Sequence, residues 1–383
     1  MSKHIYKICI AGFIITGICI LFLNGAESPY WFKFSMKMLL VICLLFIVLI
    51  WSLRRYYGDI VSDEWIKNII LSGVTFLILI FFGEYLIRYV FKDITTTSHN
   101  SYFSEKWAKG IRKNSMGFRE REIEPKYRKR NYRIVVIGDS FTFGQGIEEK
   151  DRFTNLLETE LNKSTNGYEV LNVGIPGAET VDEILTLGKV IDKVDPDYVL
   201  LQWFINDFEG HDKNRRPQSL PLLPSYALNK YLSGSSAFYF LANIQWQNIQ
   251  NILRTSGSYE KYMFQRFGDP ESADSKIAER ELNEFIDFCR NYNIPVGIVL
   301  FPELIPEMGT KYPFHYLHDR VISLCQQKNV EYLDLREVFS PYTNGRKEYK
   351  KLHVNRLDSH PGPLANRIAA ASIMKKFGTR WLP

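Results

Sequence analysis

The sequence features that mark metal and nucleotide sites are missing from this chain of 383 residues. Its 7 histidines and 5 cysteines include no cluster with the spacing of a zinc site. Neither a Gly-x-Gly-x-x-Gly fingerprint nor a phosphate-binding P-loop is present, and no internal repeat or low-complexity tract stands out. We therefore expect neither a metal nor a nucleotide cofactor.

Strong charge is also missing, since the formal net charge is only +6. That balance suits an anionic membrane surface or a glycan and is too mild to indicate nucleic acid as a partner. Cysteine usage does not fix the compartment. Cys9, Cys19 and Cys43 lie in apolar runs, whereas Cys289 and Cys325 each end a predicted helix. The last two either form a disulfide in an oxidising compartment or remain separate buried thiols.

Three long apolar runs occupy residues 1–92, namely Ile8 to Leu23, Met38 to Leu53 and Ile69 to Phe82. With its flanks, each run reaches the roughly 20 residues that a helix needs to cross a bilayer. The first run also resembles a signal peptide, because basic residues precede it and small residues follow it. Two further runs favour three retained transmembrane helices. Glu84 and Arg88 in the last of them have the spacing of an ion pair near the interface.

Basic residues near the ends of these runs indicate their orientation. Lys3 and Lys7 precede the first run, and Arg54, Arg55 and Lys67 lie between the second and the third, against Lys33 and Lys37 between the first and the second. This slight excess favours a cytoplasmic amino terminus and second loop. Three crossings then place the rest of the chain outside the cytoplasmic membrane. Lipids would be the partners of residues 1–92.

Beyond a polar, basic linker and lead-in at 93–132, strands alternate with helices over 133–378. This pattern predicts βαβ units and an α/β domain with a mostly parallel sheet of five strands. The alternation is interrupted at about 208–273, where Ala237 to Leu253 has a helical pattern. The insertion is either a lid over the ligand-binding edge or an accessory helix that covers the sheet.

Polar residues follow several of the predicted strands. Ser140 follows the first, Gly177 the second and Asn206 the third, while Asp358 and His360 come after the last. The carboxyl ends of parallel strands share one edge of a sheet, so these groups converge there. A serine that transfers acyl groups needs a base, a group that orients the base, and donors for the oxyanion. The set supplies each of these.

Four blocks carry a resemblance to a known family. In chain order they are Gly138-Asp139-Ser140-Phe141, Asn172-Val173-Gly174-Ile175-Pro176-Gly177, Asn206-Asp207 and Asp358-Ser359-His360-Pro361. Together they resemble the SGNH/GDSL hydrolases over about residues 112–378, since Asn114 to Arg119 is similar to the lead-in of bacterial members. The resemblance implies a three-layer α/β/α, flavodoxin-like domain with serine-dependent ester chemistry.

Carried onto this chain, the resemblance implies a catalytic triad. Ser140 is then the nucleophile, His360 the base, and Asp358 the residue that orients the imidazole. The oxyanion hole consists of the Ser140 and Gly177 backbone N–H groups and the Asn206 side-chain amide.

Two further aspartates accompany the motifs, and the sequence differs from the family pattern at two points. Asp139 and Asp207 accompany the motifs, and we expect them to brace turns. Phe204 stands where the family has a glycine, which bears on the shape of the acyl pocket. The aspartate precedes its histidine by two positions rather than three, a spacing that still allows contact.

These observations predict a membrane-anchored serine esterase that acts on an O-acylated glycan or a small ester. If the acyl acceptor is a sugar hydroxyl rather than water, the protein is an O-acyltransferase of an envelope or exported polysaccharide. The apolar Ala237 to Leu253 segment suggests a lipase instead. Phe204 keeps open a non-catalytic domain that binds a glycan or a protein partner.

The predicted orientation can be tested with reporter fusions to the carboxy terminus. An alkaline phosphatase fusion should be active, because that enzyme matures only outside the cytoplasm. A fusion to a reporter that works only in the cytoplasm should be silent. The opposite pair of results would refute an extracytoplasmic domain.

Overall fold

The computed structural model describes residues 63–92, 94, 102–108, 110–124, 132–163, 167–210, 221–253, 259–343 and 348–382. The described residues form two compact units. The sheet unit contains Ile94–His99, Lys106–Leu220 and Asn248–Pro383. The helical unit contains Met1–Asp93, Asn100–Glu105 and Pro221–Gln247.

The helices and strands follow one another along the chain as listed next. They are α1 (Asp63–Val90), α2 (Tyr102–Ala108), β1 (Tyr132–Ile137), α3 (Ser140–Phe143), α4 (Phe153–Leu161), β2 (Tyr168–Asn172), α5 (Thr180–Val194), β3 (Tyr198–Trp203), α6 (Tyr226–Ser235), α7 (Ala237–Leu253), α8 (Tyr259–Phe267), α9 (Ala273–Asn291), β4 (Val296–Leu300), α10 (His315–Gln327), β5 (Glu331–Asp334), α11 (Arg336–Phe339), β6 (His353–Asn355), β7 (Asp358–Pro361) and α12 (Pro363–Trp381).

The five main strands form one sheet in the order β2-β1-β3-β4-β5, and every neighbouring pair is parallel. The predicted α/β fold with a parallel five-stranded sheet is therefore confirmed. This is the strand order of flavodoxin-like folds, in which ligands bind where the order reverses, at the carboxyl ends of β1 and β3. The chain reaches those two ends at Ser140 and Asn206.

Burial on both faces of the sheet explains why its strands are almost continuously apolar. Side chains of a strand point alternately to opposite faces, yet every residue of β2 and β3 is buried. Two helix pairs, α4 with α12 and α5 with α9, provide much of that cover. Val135, Leu200 and Val299 lie in the core between them.

A second, two-stranded sheet lies between β5 and α12. The strands β6 and β7 pair in antiparallel fashion, with Asn355 opposite Asp358. The sequence pattern predicts no strand there, because short polar strands carry no apolar alternation. Helix α7 has the predicted bounds, while α6 and α8 on either side of it were not predicted.

The lead-in is more than a linker. Phe118, Arg119 and Glu120 are all buried, and Phe118 packs into the core of the sheet unit. The apolar pair Gly117-Phe118 in this polar segment indicates that part of it packs on the domain, and the burial of Phe118 confirms that interpretation.

The helical unit is built around α1. Its stretch Leu71–Val90 is 20 residues long with a mean hydropathy of 1.6, and it is the one helix among the described residues that is long and apolar enough to cross a membrane. The third apolar run lies within α1. The first two, with the signal-peptide alternative, lie outside the described residues. The count of three spans stays a prediction.

The structure distinguishes the two readings of the cysteine pair. Cys289 and Cys325 are both buried as separate, free thiols. Burial raises the pKa of each thiol to about 12, so both are neutral and inert at physiological pH.

Candidate active site

The turn after β1 presents Ser140 at the amino end of the short helix α3. Asp139 caps this helix, because its carboxylate accepts a hydrogen bond from the Phe141 N–H at 2.9 Å. Gly138 must lack a side chain, since a Cβ there would lie 2.5 Å from both Gln202 Oε1 and Thr142 Oγ1. The tight turn therefore depends on this glycine, and it leaves the serine at the sheet edge.

A continuous chain of hydrogen bonds joins Asp358, His360 and Ser140. The His360 Nδ1 atom lies 2.6 Å from Asp358 Oδ1, and its Nε2 atom lies 3.0 Å from Ser140 Oγ. In the tautomer with Nδ1 protonated, the imidazole donates to the carboxylate and accepts from the serine hydroxyl. Ser140 is thereby paired with a base, and the base with an orienting group.

The two-residue spacing of Asp358 and His360 follows from their position on β7. Residues i and i+2 of a strand point to the same face, so the two side chains stand together. Asp358 Oδ1 also accepts the His360 backbone N–H at 3.1 Å. A spacing of two therefore gives close contact here, although the family pattern has three.

Opposing effects act on the pKa of His360. Burial disfavours the charged imidazolium, but the hydrogen bond and negative charge of Asp358 outweigh it. Asp139 and Glu303 add smaller effects in the same direction, so the pKa of His360 is raised overall. The imidazole is thus a stronger base than a free histidine.

The groups expected to form an oxyanion hole lie on two neighbouring loops. Gly177 has a left-handed backbone with φ of 73°, and the Asn206 side-chain amide donates to Ala178 O at 3.4 Å. The Ile175 N–H donates to Gly138 O at 3.0 Å, which ties the Gly177 loop to the nucleophile turn. Their role as oxyanion donors remains a prediction.

The rings of Phe204 and Phe141, which we call the aromatic wall, lie beside His360. The ring centroids of Phe204 and Phe141 are 4.4 Å apart, and Phe141 meets the His360 ring edge-on at 5.7 Å. Phe204 has an extended backbone that any residue can adopt, so this position does not need a glycine. Its ring lies against Phe141, which in turn contacts the His360 ring.

Carboxyl groups are buried around the nucleophile turn. Burial raises the pKa of Asp139 to about 6, although the Phe141 N–H and the nearby His360 oppose this. Burial, and then the charges of Asp207 and Asp139, raise the pKa of Glu183 well above its usual value. Asp207 accepts the Phe204 N–H at 2.8 Å, which braces the turn as expected. Burial and the neighbouring carboxylates thus favour the protonated form of Glu183.

Three residues to which the motifs assign no role hold α3 in place. Gln202 Oε1 accepts hydrogen bonds from Thr142 N at 3.0 Å and from its hydroxyl at 2.8 Å. Asn172 donates to Thr142 O at 2.5 Å. Arg119 donates to Gly144 O at 2.7 Å and to Ile147 O at 2.8 Å. Asn172 and Arg119 stood in recognised motifs, but Gln202 was hidden inside an apolar strand.

The remaining described histidines have structural partners. His353 is half-buried, and its Nε2 lies 2.7 Å from Leu304 O. His318 is buried, and its Nδ1 lies 3.2 Å from Asp334 Oδ1. Among the described residues, no group of three or more His, Cys, Asp or Glu is arranged to hold a metal ion.

Comparison with known proteins follows the same blocks. A model of the GDSL-like Lipase/Acylhydrolase family matches residues 136–363, which is more than half of the chain. The matched range begins in β1 and ends just after β7, so it includes Ser140, Gly177, Asn206, Asp358 and His360. No curated protein matches the chain.

Solved structures resemble the chain only distantly. An acetyl xylan esterase, AlAXEase, is 18% identical, with 63% of this chain and 98% of that chain covered and a TM-score of 0.41. TesA is 13% identical, with 64% and 98% covered and a TM-score of 0.40. A lipolytic protein of the G-D-S-L family from Veillonella parvula has the same identity, coverages and TM-score as TesA. Such distant likeness carries no argument about activity.

The raised pKa of His360 can be tested by NMR titration of its imidazole. Wild-type protein should titrate above the ordinary histidine value, and Asp358→Asn should lower the pKa because the negative partner is lost while burial remains. Asp192→Asn is a matched control, since Asp192 is exposed on α5, and it should leave the titration unchanged. Equal His360 pKa values in wild type and Asp358→Asn would contradict the assigned pairing.

Proposed function

The chain belongs to the GDSL-like lipase/acylhydrolase family, and on that premise we propose that it is a serine-dependent esterase that works at a membrane. One observation carries the proposal. Asp358, His360 and Ser140 are joined by hydrogen bonds of 2.6 and 3.0 Å at the carboxyl edge of the sheet. This is the arrangement that activates a serine hydroxyl for attack on an ester.

The first half of the reaction transfers the acyl group to the protein. Ser140 Oγ attacks the ester carbonyl carbon while His360 Nε2 takes the hydroxyl proton. The imidazolium is stabilised by Asp358, and the oxyanion is stabilised by the backbone N–H groups of Ser140 and Gly177 and the Asn206 amide. When the C–O bond breaks, His360 gives its proton to the leaving alcohol and an acyl-serine remains.

The second half regenerates the serine. A water molecule gives a proton to His360 Nε2 and attacks the acyl carbon, after which the Ser140 C–O bond breaks and the proton returns to Ser140 Oγ. The products are a carboxylic acid and free enzyme. A sugar hydroxyl in place of water would give acyl transfer with the same residues. Water is the acceptor in the proposed esterase.

The aromatic wall supports a preference for short acyl groups. Phe204 and Phe141 pack at 4.4 Å beside His360, on the side of the triad where the family has a glycine. A phenylalanine ring fills volume that a glycine would leave open, which favours a short acyl chain over a long one. We therefore propose that the substrates are acetyl or other short esters, on a glycan or on a small molecule.

The membrane location is argued from the amino-terminal region. Its three apolar runs have the length of spanning helices, and Leu71–Val90 is a continuous apolar helix. The basic residues flanking these runs favour a carboxy-terminal domain outside the cytoplasmic membrane. Acylated polymers of the cell envelope would be within reach of an enzyme held there.

A fluorophosphonate probe tests the nucleophile directly. The wild-type chain should become labelled at Ser140 and should hydrolyse an acetyl ester, because the probe reacts with activated serines. Ser140→Ala should lose the label and at least about 10³-fold of the activity. Ser359→Ala is the matched control, since this exposed serine lies on β7 beside His360, and it should keep both.

Two results would count against an esterase. Absence of labelling in a folded wild-type chain would favour a domain that only binds acylated ligands. Labelling accompanied by transfer to a sugar, with no free acid released, would identify an acyltransferase.

The preference for short acyl groups can be tested with Phe204→Ala. The smaller side chain opens the wall, so the ratio of kcat/KM for an octanoyl ester to that for an acetyl ester should rise by about tenfold or more. Phe204→Trp keeps the wall and should leave the ratio at or below the wild-type value. An unchanged ratio in Phe204→Ala would show that Phe204 does not limit acyl length.

A further inference from the structure

The insertion between β3 and α8 contains a segment of unusual composition. From Pro221 to Leu253 the sequence has a single charged residue, Lys230, and no acidic residue. Surface helices of soluble proteins carry charges on the face that meets water. This segment therefore has the composition of a structure that does not face bulk water.

Large apolar and aromatic side chains of this segment are exposed. Tyr226 is 74% exposed and Tyr231 47% on α6, while Phe238 is 41% and Trp246 38% exposed on α7. Leu228 on α6 is 45% exposed as well. Several such residues on neighbouring helices mark an interaction surface. We call these five residues the aromatic corner.

The aromatic corner is fixed to α1 within the helical unit. The Glu84 carboxylate accepts hydrogen bonds from Ser236 Oγ at 2.7 Å, Ala237 N at 2.9 Å and Phe238 N at 2.8 Å. The Ala237 and Phe238 N–H groups are amide donors that the start of α7 leaves unpaired, so a residue of α1 caps α7. Arg88 pairs with Glu84 at 2.5 Å and donates to Ser235 O at 2.8 Å.

Side-chain packing also joins the start of α7 to α1. Gly83 lies against the ring of Phe238, since a Cβ on Gly83 would be 3.4 Å from that ring. Phe103, Ala237 and Phe240 form a small buried cluster with Ile87 packed against it. The corner between α6 and α7 is thus attached to one level of α1 by capping, an ion pair and apolar contact.

The position of Glu84 along α1 indicates the depth of the aromatic corner in a membrane that α1 crosses. Glu84 precedes the last residue of α1, Val90, by six positions, which is about 9 Å at 1.5 Å per residue. The end of a spanning helix lies near the boundary between hydrocarbon and headgroups. Tyrosine and tryptophan are enriched at this depth, because their rings are apolar and their polar tips reach water.

We propose that the aromatic corner lies in the headgroup region of the same bilayer that α1 crosses, with lipid as its partner. The inference rests on the proposed membrane location and adds a second attachment, contributed by the insertion in the hydrolase sequence. The attachment is hydrophobic, because Lys230 is the single charge in the segment. It therefore requires no anionic lipid, unlike a polybasic surface.

Quenching of Trp246 by brominated phospholipids tests this inference. The full chain and Trp246→Phe are reconstituted into vesicles, and the difference between their emission spectra isolates Trp246. We expect lipids brominated near the headgroup end of the acyl chain to quench most of this difference signal. Lipids brominated near the terminal methyl should quench it less. Neutral and anionic vesicles should give the same result.

A second reporter position and a control make the test specific. In the Trp246→Phe background, Phe238→Trp should be quenched in the same way as Trp246. Tyr292→Trp, at an exposed position directly after α9, should keep its emission in the same vesicles. Equal quenching at Tyr292→Trp would overturn the inference, because the effect would not be specific to the corner.

The remaining outcomes separate this inference from the membrane location on which it rests. A chain that stays bound to the vesicles while Trp246 is unquenched has the corner in water, against a second copy or against another protein surface, and the inference then fails alone. A chain that does not associate with vesicles refutes both. Quenching that occurs only with anionic lipid also overturns the hydrophobic attachment.

Discussion

The close approach of β3 to the turn after β1 is the constraint on which the candidate site depends. Gln202 on β3 accepts two hydrogen bonds from Thr142, and no side chain fits at Gly138 between them. The turn is therefore held from one side by the sheet. On its other side, Arg119 of the lead-in donates to the carbonyls that follow α3. Ser140 is positioned by backbone contacts, so its hydroxyl stays available to His360.

The electrostatics of the site follow from burial. Carboxyl groups near the nucleophile turn lose hydration, and the pKa of Asp139 and that of Glu183 rise accordingly. Asp358 is also buried, but it is directly hydrogen-bonded to His360, so its negative charge has a partner. Of the charges near His360, that of Asp358 raises its pKa most.

Most of the sheet, and the meeting of Ser140, Asp358 and His360 at its edge, could be predicted from the sequence, whereas the insertion could be predicted only in part. The central strands are buried on both faces, so their sequences are continuous apolar runs that predict strands. Ser140, Asp358 and His360 stand in short motifs, and the order of these motifs along the chain predicts which edge of the sheet they share. The capping of α7 by Glu84 joins residues more than 150 positions apart. No local pattern encodes such a contact. The spacing of Glu84 and Arg88 predicts only the ion pair between these two residues.

The sequence by itself determined the α/β class, the parallel sheet and the residues that meet at its edge, because strand periodicity and chain order are local properties. Only the tertiary structure decided how those residues touch. It placed Asp358 and His360 on one face of a short strand, set Phe204 against Phe141, and brought Arg119 into the interior. Each of these depends on packing between distant segments, whose free energy is set by shape and burial rather than by the identity of neighbours in the chain.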